Sequence, residues 1–271
     1  MSRKDSDCKF ITTPSEEIVR RYRESFENDD TEASLGVVHY RGGQTEFDLG
    51  CKYALSPDPL DRITSARILS QLGWEDDTFH DESVDLLLRL ATDVDEDVIA
   101  AAAYALGHRR SAQGIPVILP LIRHPNPDVR QAVVSGLTCQ DDPSAIRGLI
   151  ELAKDQVPDV RNWAAFGLGS MIDIDSPEIR EALVPLLDDV DVEIRGEALI
   201  GLAKRHVPRV LPALIRELSG KFNGDWCLEA AELLGDPVLL PLLVRLRASA
   251  PTVYAARFSD NFDRAIAACT K

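Results

Sequence analysis

Histidines and runs of acidic residues are the side chains in this sequence that could hold a metal ion. The histidines are His39, His80, His108, His124 and His206. None has another His or Cys three or four residues away, so the two-imidazole spacing of a zinc site is missing. The acidic runs at 93–97, 173–175 and 188–193 lack the residue order of a calcium loop. We interpret them as solvated helix starts, and we expect no metal and no cofactor.

Serine and cysteine residues do not stand in any arrangement typical of a catalytic nucleophile. The sequence has no G-x-S-x-G, no C-x-x-C and no cysteine next to a histidine. The cysteines are Cys8, Cys51, Cys139, Cys227 and Cys269. Their odd number and wide spacing indicate reduced thiols in a cytoplasmic protein. We therefore expect no catalytic residue, and a protein that is not an enzyme.

Arginines form the first candidate binding site. They recur in the second helix of a repeat described below, at Arg89, Arg123, Arg147, Arg180, Arg216, Arg245 and Arg247. Such helices usually line one side of a stack, so these residues could form a basic strip. Nearby Glu151, Glu181, Asp188 and Glu217 dilute its charge. The alternatives are an ordinary solvated face, a groove for an acidic protein or small anion, and a nucleic-acid site.

Aromatic residues form the second candidate site. Tyr104 and Phe166 occupy one equivalent position of the first helix, which Ile200 and Ser135 share, and Trp163 lies at its flank. An exposed apolar row at this position could bind a protein partner. Alternatively, the row forms the contact between adjacent helices.

These residues are positioned by a repeat that runs through most of the chain. The stretch "DVRNWAAFGLG" at 159–169 has relatives such as "DVRQAVVSGL" and "EIRGEALIGLA". The copies align on Leu72, Leu106, Leu137, Leu168, Leu202 and Leu234. Successive leucines are 34, 31, 31, 34 and 32 residues apart. Apolar residues such as Val129, Val133 and Leu137 recur at i, i+4 and i+8, which predicts an amphipathic helix.

Each copy of this first helix carries further recurring residues. An acidic residue is predicted to cap its start, at Asp97, Asp128, Asp159, Glu193 and Asp225. A small residue before the leucine predicts close contact between helices, at Ala105, Gly136, Gly167 and Gly201. An arginine is expected to bond an acid of the neighbouring repeat rather than an anion, at Arg130, Arg161 and Arg195.

A second helix follows each first helix. Prolines are predicted to lie inside it and to bend it, at Pro120, Pro185, Pro212 and Pro241. Over about residues 58–246, the pattern D-x-V-R-x-x-A-x-x-x-L followed by L-P-x-L resembles the HEAT repeat, in the short form seen in phycobilin lyases. The resemblance implies an all-α fold, an α-solenoid of stacked antiparallel helix pairs.

The remaining segments are predicted to cap the solenoid. We expect a disordered segment at 1–13, a capping helix and a degenerate helix pair at 14–57, repeats at 58–250 and a closing helix at 251–271. Gly42 and Gly43 are expected to end a helix in the first cap. The start "MSRKDSDCKF" lacks the apolar segment of a secretory signal, and no apolar stretch is long enough to span a membrane.

Composition narrows the expected function. The net charge is −15, from 30 basic and 45 acidic residues, which disfavours nucleic acid as a partner. We therefore expect a non-catalytic scaffold or adaptor that binds a protein, favouring a basic one such as a nucleic-acid-binding protein or a toxin to be inhibited. Two alternatives rest on resemblance alone: a bilin lyase subunit, and a HEAT-like protein that binds DNA lesions.

Overall fold

The structure is a computed structural model that describes residues 12–28, 34–73, 77–138, 140–220, 225–250, 253 and 257–270. In these ranges the regular structure is helical, and no β-strand occurs. The chain divides into two compact units, Met1–Ser144 and Ala145–Lys271. Each unit is a stack of antiparallel helix pairs, so the predicted all-α, α-solenoid fold is confirmed.

The described part of the first unit contains helices α1 to α8. They span Ser15–Asn28, Gly36–Arg41, Gln44–Ala54, Pro59–Ser70, His80–Leu90, Glu96–His108, Ile115–Ile118 and Pro127–Leu137. Short 3₁₀ segments, Ala112–Gly114 and Leu119–Arg123, flank α7. Helices α3, α4, α6 and α8 pack on one another in succession, and we call them A helices. The helices that follow them, α5 and α7, are B helices.

Helices α9 to α16 follow, with the division between the units in the first turn of α9. They span Pro143–Leu152, Pro158–Phe166, Pro177–Leu183, Val192–Lys204, Val210–Ser219, Trp226–Leu234, Leu240–Ser249 and Ser259–Ala268. A π-helical turn, Gly167–Met171, extends α10, and 3₁₀ segments follow α11 and precede α15. The stacked A helices of the second unit are α10, α12, α14 and α16.

Helix starts differ from the prediction by two residues. The side chains of Asp95, Asn126 and Asp191 cap their helices by accepting backbone N–H groups. The predicted caps Asp97, Asp128 and Glu193 lie in the first helical turn and donate those N–H groups. Asp159 likewise lies inside α10, after Val157, and Asp225 precedes α14 without a side-chain cap bond. The predicted cap positions were wrong for all but Asp225, because a capping residue needs extended backbone, which occurs in the turn before the helix.

The register of the first repeat also differs from the prediction. Asp58 caps α4 as Asp191 caps α12, and four residues later Arg62 takes the place of Arg195. Leu69 therefore corresponds to Leu202, while Leu72 lies beyond the end of the helix at Ser70. The prediction was wrong because Leu72 is followed by glycine, as Leu106, Leu168 and Leu234 are, and both Leu69 and Leu72 are fully buried.

Two of the four prolines lie inside their B helices, as predicted. At Pro120 and Pro185 the α-helix gives way to 3₁₀ segments, Leu119–Arg123 and Val184–Asp188. Pro212 and Pro241 instead lie in the first turns of α13 and α15, so the prediction of an interior position was wrong for them. A first-turn proline removes no hydrogen bond from the helix.

Small residues allow the A helices to pack closely, as predicted. A Cβ atom on Gly201 would lie 2.5 Å from the Cα of Gly169, on the neighbouring helix of the second unit. In the first unit, a Cβ atom on Gly136 would lie 2.8 Å from the carbonyl oxygen of Ala103. Both distances are too short for any side chain, so glycine is required at these crossings.

The two ends of the chain are described in part. Gly42 has φ of +52° and ends α2, as expected for a left-handed helix stop. Helix α16 lies within the segment predicted to close the stack. The predicted disordered segment falls mostly outside the described residues, as do residues 251–252 and 254–256.

Candidate partner-binding surfaces

The recurring A-helix arginines form a ladder of internal bonds. Arg161 donates from Nε to Asp189 at 3.0 Å, and from Nη1 to the carbonyl oxygens of Asp155 and Gln156 at 2.8 and 3.1 Å. Arg195 repeats this arrangement with Glu217 at 2.9 Å. The predicted internal ion pairs of these two arginines are confirmed, but each acid lies in the B helix, or the turn after it, of the same repeat and not in a neighbouring one.

Acids of the ladder are held in their charged form. Burial acts to raise the pKa of Asp189, but hydrogen bonds from Arg161 and from the backbone N–H of Asp191 outweigh it and lower that pKa. Burial likewise acts to raise the pKa of Asp93, but its hydrogen bonds, among them one at 2.7 Å from Nε of Arg62, lower that pKa overall. These acids therefore contribute to the fold and are not available to a partner.

A further buried arginine was missed in the sequence. The side chain of Arg205 is 2% exposed. Its Nη2 donates to the carbonyl oxygens of Leu168 and Ile172 at 2.9 and 2.8 Å, and its Nη1 donates to that of Gly201 at 3.0 Å. The guanidinium group thus satisfies the free carbonyl groups at the ends of two A helices. Burial lowers the pKa of Arg205.

Arg109 does the same in the first unit. It donates to the carbonyl oxygens of Leu69 and Leu72 at 2.7 and 2.9 Å. Arg109 and Arg205 each stand three residues after a repeat leucine, Leu106 or Leu202. That shared offset was a signal in the sequence, although only two repeats carry it.

The B-helix arginines predicted as a binding strip differ in whether they form ion pairs within the chain. Arg180 bonds Asp175, and Arg216 lies 3.0 Å from Asp188 and donates to the carbonyl oxygen of Leu187. Arg247 bonds Asp263, and the remaining four are exposed: Arg89, Arg123, Arg147 and Arg245. Arg89 and Arg123 belong to the first unit, and the other five to the second.

The predicted aromatic row is only partly exposed. Ile200 is 5% exposed and belongs to the core, whereas Tyr104 is 37% exposed and Phe166 is half-buried. Trp163, at the flank of the row, is 47% exposed. Its ring makes an edge-to-face contact with Phe166, with 5.8 Å between centroids. The exposed aromatic group of the second unit is therefore centred on Trp163.

Carboxylates surround this aromatic group. Asn162, next to Trp163, donates to Glu193 at 3.2 Å, and Ser170 donates to Glu197 at 2.9 Å. The Trp226 ring of α14 packs closely against Gly196 of α12. A Cβ atom on Gly196 would lie 2.5 Å from Cγ of Trp226. We call the resulting patch the aromatic–acidic surface, and it comprises Trp163, Phe166, Glu193, Glu197, Trp226 and Glu229.

Negative charge on this surface is incompletely balanced. Burial raises the pKa of Glu197, and the charges of Glu229 and Asp225 raise it further, against hydrogen bonds from Ser170 and Trp226. Burial also raises the pKa of Glu229, with repulsion from Asp225 in the same direction. A cation placed here would relieve this repulsion.

The described residues give little support to a metal site or a reactive thiol. Within them, no group of three or more His, Cys, Asp or Glu side chains is arranged to hold a metal ion. Burial raises the pKa of Cys227 to about 12, so its thiol is a poor nucleophile. Cys51, Cys227 and Cys269 are free thiols, while Cys8 and Cys139 lie outside the described residues.

None of the described helices has the length and apolar character needed to cross a bilayer.

Comparison with known proteins gives matches along most of the chain. The family model for HEAT repeats matches residues 83–169 and 146–235. Protein YibA of Escherichia coli K12 is 32% identical over 223 residues, which cover 78% of this chain and 77% of that protein. The crystal structure of E. coli YibA superposes with a TM-score of 0.72 at 27% sequence identity, covering 100% of this chain and 98% of the other.

More distant structures give weaker matches. A HEAT-like repeat protein from the archaeon Thermococcus onnurineus has a TM-score of 0.50 and 17% identity, over 82% of this chain and 98% of that one. The CpcE–CpcF phycocyanin lyase from Nostoc, at a TM-score of 0.45 and 19% identity over 90% and 93% of the two chains, is too distant to indicate function. With repeats that match the family model over more than half of its length, and a YibA relative of 32% identity, this chain belongs to the HEAT-repeat family.

Proposed function

We propose that this chain is a non-catalytic binding protein whose aromatic–acidic surface contacts a basic protein. The observation that carries the proposal is the exposed Trp163 on a helix whose Asn162 and Ser170 bond the carboxylates of Glu193 and Glu197. Tryptophan and tyrosine dominate the binding energy of protein interfaces because their large rings are buried on contact. A ring that is 47% exposed in the free protein has much area left to bury.

Charge indicates the chemistry of the partner. A lysine or arginine side chain could lie over the Trp163 ring, which attracts cations through its π-electrons. The same cation would lie close to Glu193 or Glu197, since both acids bond the helix that carries Trp163. Arg264, whose charge acts on Glu229 of the same surface, already bonds Glu232. The chain's net charge of −15 would also accelerate encounter with a basic protein.

Replacing Trp163 by alanine is expected to weaken partner binding by about tenfold to a hundredfold, as for a central interface residue. Wild-type and variant chains would be immobilised, and proteins captured from the native lysate would be quantified by mass spectrometry. Tyr40→Ala is the matched control, because Tyr40 is 73% exposed and lies in the first unit.

Basic proteins that are lost with Trp163→Ala and retained with Tyr40→Ala would support the proposal. Raising the salt concentration should weaken their capture, because ion pairs are screened. Equal capture by the two variants, or specific partners that are all acidic, would contradict it.

Replacing Glu197 by glutamine is expected to stabilise the free protein and to weaken the same interaction. The raised pKa means that the Glu197 carboxylate opposes folding above the pH range in which it ionises, and that this effect disappears below it. Glutamine can still accept from Ser170, so we expect the melting temperature to rise by about 2 °C at pH 7 and to be unchanged near pH 3. Calorimetry at the two pH values checks the sign.

Asp175→Asn is a matched control for Glu197→Gln. Asp175 bonds Arg180 on the B side of the stack, and that bond lowers its pKa, so neutralising it should not stabilise the protein at pH 7. A Glu197→Gln variant that is more stable and binds the partner as tightly as wild type would exclude Glu197 from the interface.

A further inference from the structure

Four side chains on two A helices of the first unit form a cluster that is unlike its acidic surroundings. Arg67 and Gln71 lie on or just after α4, and Tyr104 and His108 lie on α6. We propose that this cluster binds an oxyanion, the carboxylate or phosphate group of a ligand. This site is independent of the aromatic–acidic surface, because all of its residues belong to the other unit.

Arg67 supplies the positive charge. Its guanidinium carbon lies 5.0 Å from the centroid of the Tyr104 ring, so the ring holds it in a fixed, stacked position. Within the described part of the chain, no carboxylate forms an ion pair with Arg67. This contrasts with Arg62 on the same helix, which bonds Asp93. The stacked guanidinium therefore keeps its donor edges available for an external anion.

His108 adds a donor of defined orientation. Its Nδ1 lies 3.0 Å from the amide nitrogen of Gln71, and its ring lies 4.7 Å from that of Tyr104. Because an amide nitrogen can only donate, Nδ1 of the neutral ring accepts and Nε2 carries the proton. His108 is an exposed residue, and its Nε2–H group can then donate to the same anion as Arg67.

The electrostatics of the cluster agree with this assignment. Burial lowers the pKa of His108, and the positive charge of Arg67 lowers it further. Nearby His39 has its pKa lowered by burial, with smaller effects of Arg109 and His108 in the same direction. No carboxylate contributes to either shift. This part of a strongly acidic chain is thus locally positive, as an anion site requires.

The test is a titration of the full chain with inorganic phosphate, and separately with acetate, at constant ionic strength. The ¹⁵N and ¹H resonances of the His108 ring and of Arg67 Nε report binding. We expect saturable shifts in the millimolar range with at least one anion. The anion that gives the lower half-saturation concentration identifies the preferred group.

Arg67→Gln should raise the half-saturation concentration at least tenfold. Arg147→Gln is the matched control, since Arg147 is exposed, lies in the second unit and has no ion pair among the described residues. Tyr104→Phe retains the stacked ring and should weaken binding less than threefold, which separates loss of the site from loss of the fold. Non-saturable shifts, or equal shifts in wild type and Arg67→Gln, would overturn the proposal.

Discussion

Replacing Arg205 by leucine is expected to lower the free energy of unfolding by about 4 kcal/mol, because several buried carbonyl groups lose their donor together. Water cannot replace the guanidinium group as the hydrogen-bond donor, because the side chain of Arg205 is 2% exposed. Leucine fills part of the volume but offers no hydrogen bond to Leu168, Ile172 or Gly201. Urea unfolding followed by circular dichroism measures the loss.

Arg209→Leu is the matched control for this prediction. Arg209 is exposed just before α13 and makes no side-chain cap bond, so its replacement should change the free energy of unfolding by less than about 0.5 kcal/mol. The free energy of unfolding lost in Arg205→Lys should fall between the losses in Arg209→Leu and Arg205→Leu, because one ammonium group cannot reach all the carbonyl groups. Equal stability of Arg205→Leu and wild type would show that the buried guanidinium group does not hold the helix ends.

Replacing Gly201 by alanine is expected to lower the free energy of unfolding by about 3 kcal/mol through overpacking. The added Cβ atom would lie 2.5 Å from the Cα of Gly169 and 2.8 Å from Leu183. Backbone cannot move aside as a flexible side chain can, so α10 and α12 would have to separate. Alanine gains about 1 kcal/mol of helix propensity over glycine, which the strain must exceed. Thermal and urea unfolding give the net effect.

Gly220→Ala is the matched control for the glycine prediction. The nearest atom to a Cβ on Gly220 is 3.5 Å away, and φ there is −85°, which alanine adopts freely. Its stability should change by less than about 0.5 kcal/mol. A stabilised Gly201→Ala variant would mean that these helices are not in close contact in solution.

Features that depend on local spacing could be predicted from the sequence. The period of the repeat indicated the helices and their stacking, because apolar residues at i, i+4 and i+8 face one side. The internal ion pairs of Arg161 and Arg195 were predicted from the recurrence of arginine at one position, although the acids lie at the ends of their own B helices and not in a neighbouring repeat. The requirement for glycine at Gly136 and Gly201 followed from its recurrence at a position where helix propensity disfavours it.

Features that depend on backbone geometry or on distant contacts could not be predicted. The caps at Asp95 and Asp191 depend on where the extended turn ends, and a run of acids offers several choices. The role of Arg205 depends on carbonyl groups more than 30 residues earlier in the chain. The sequence could not show that Ile200 is buried while Trp163 is exposed. A helical pattern alone does not determine which part of a helix its neighbour covers.

The candidate surface was predicted in its aromatic part only. An exposed row that includes Trp163 and Phe166 was one of two alternatives from the sequence, whereas Glu197 and Trp226 come from two further helices of the stack. Their proximity depends on the close approach at Gly196 and Gly201, which sequence spacing does not measure.

The arginine ladder has a consequence for how such an array lengthens. The arginine of one A helix bonds an acid that closes the following B helix or the turn after it, as in the pairs Arg62–Asp93 and Arg161–Asp189. A repeat unit, taken as an A helix with the B helix and turn that follow it, therefore carries both the donor and the acceptor of its pair. Tandem duplication of such a unit would leave no buried charge unmatched at the new junction, so gene duplication could add units without compensating mutations.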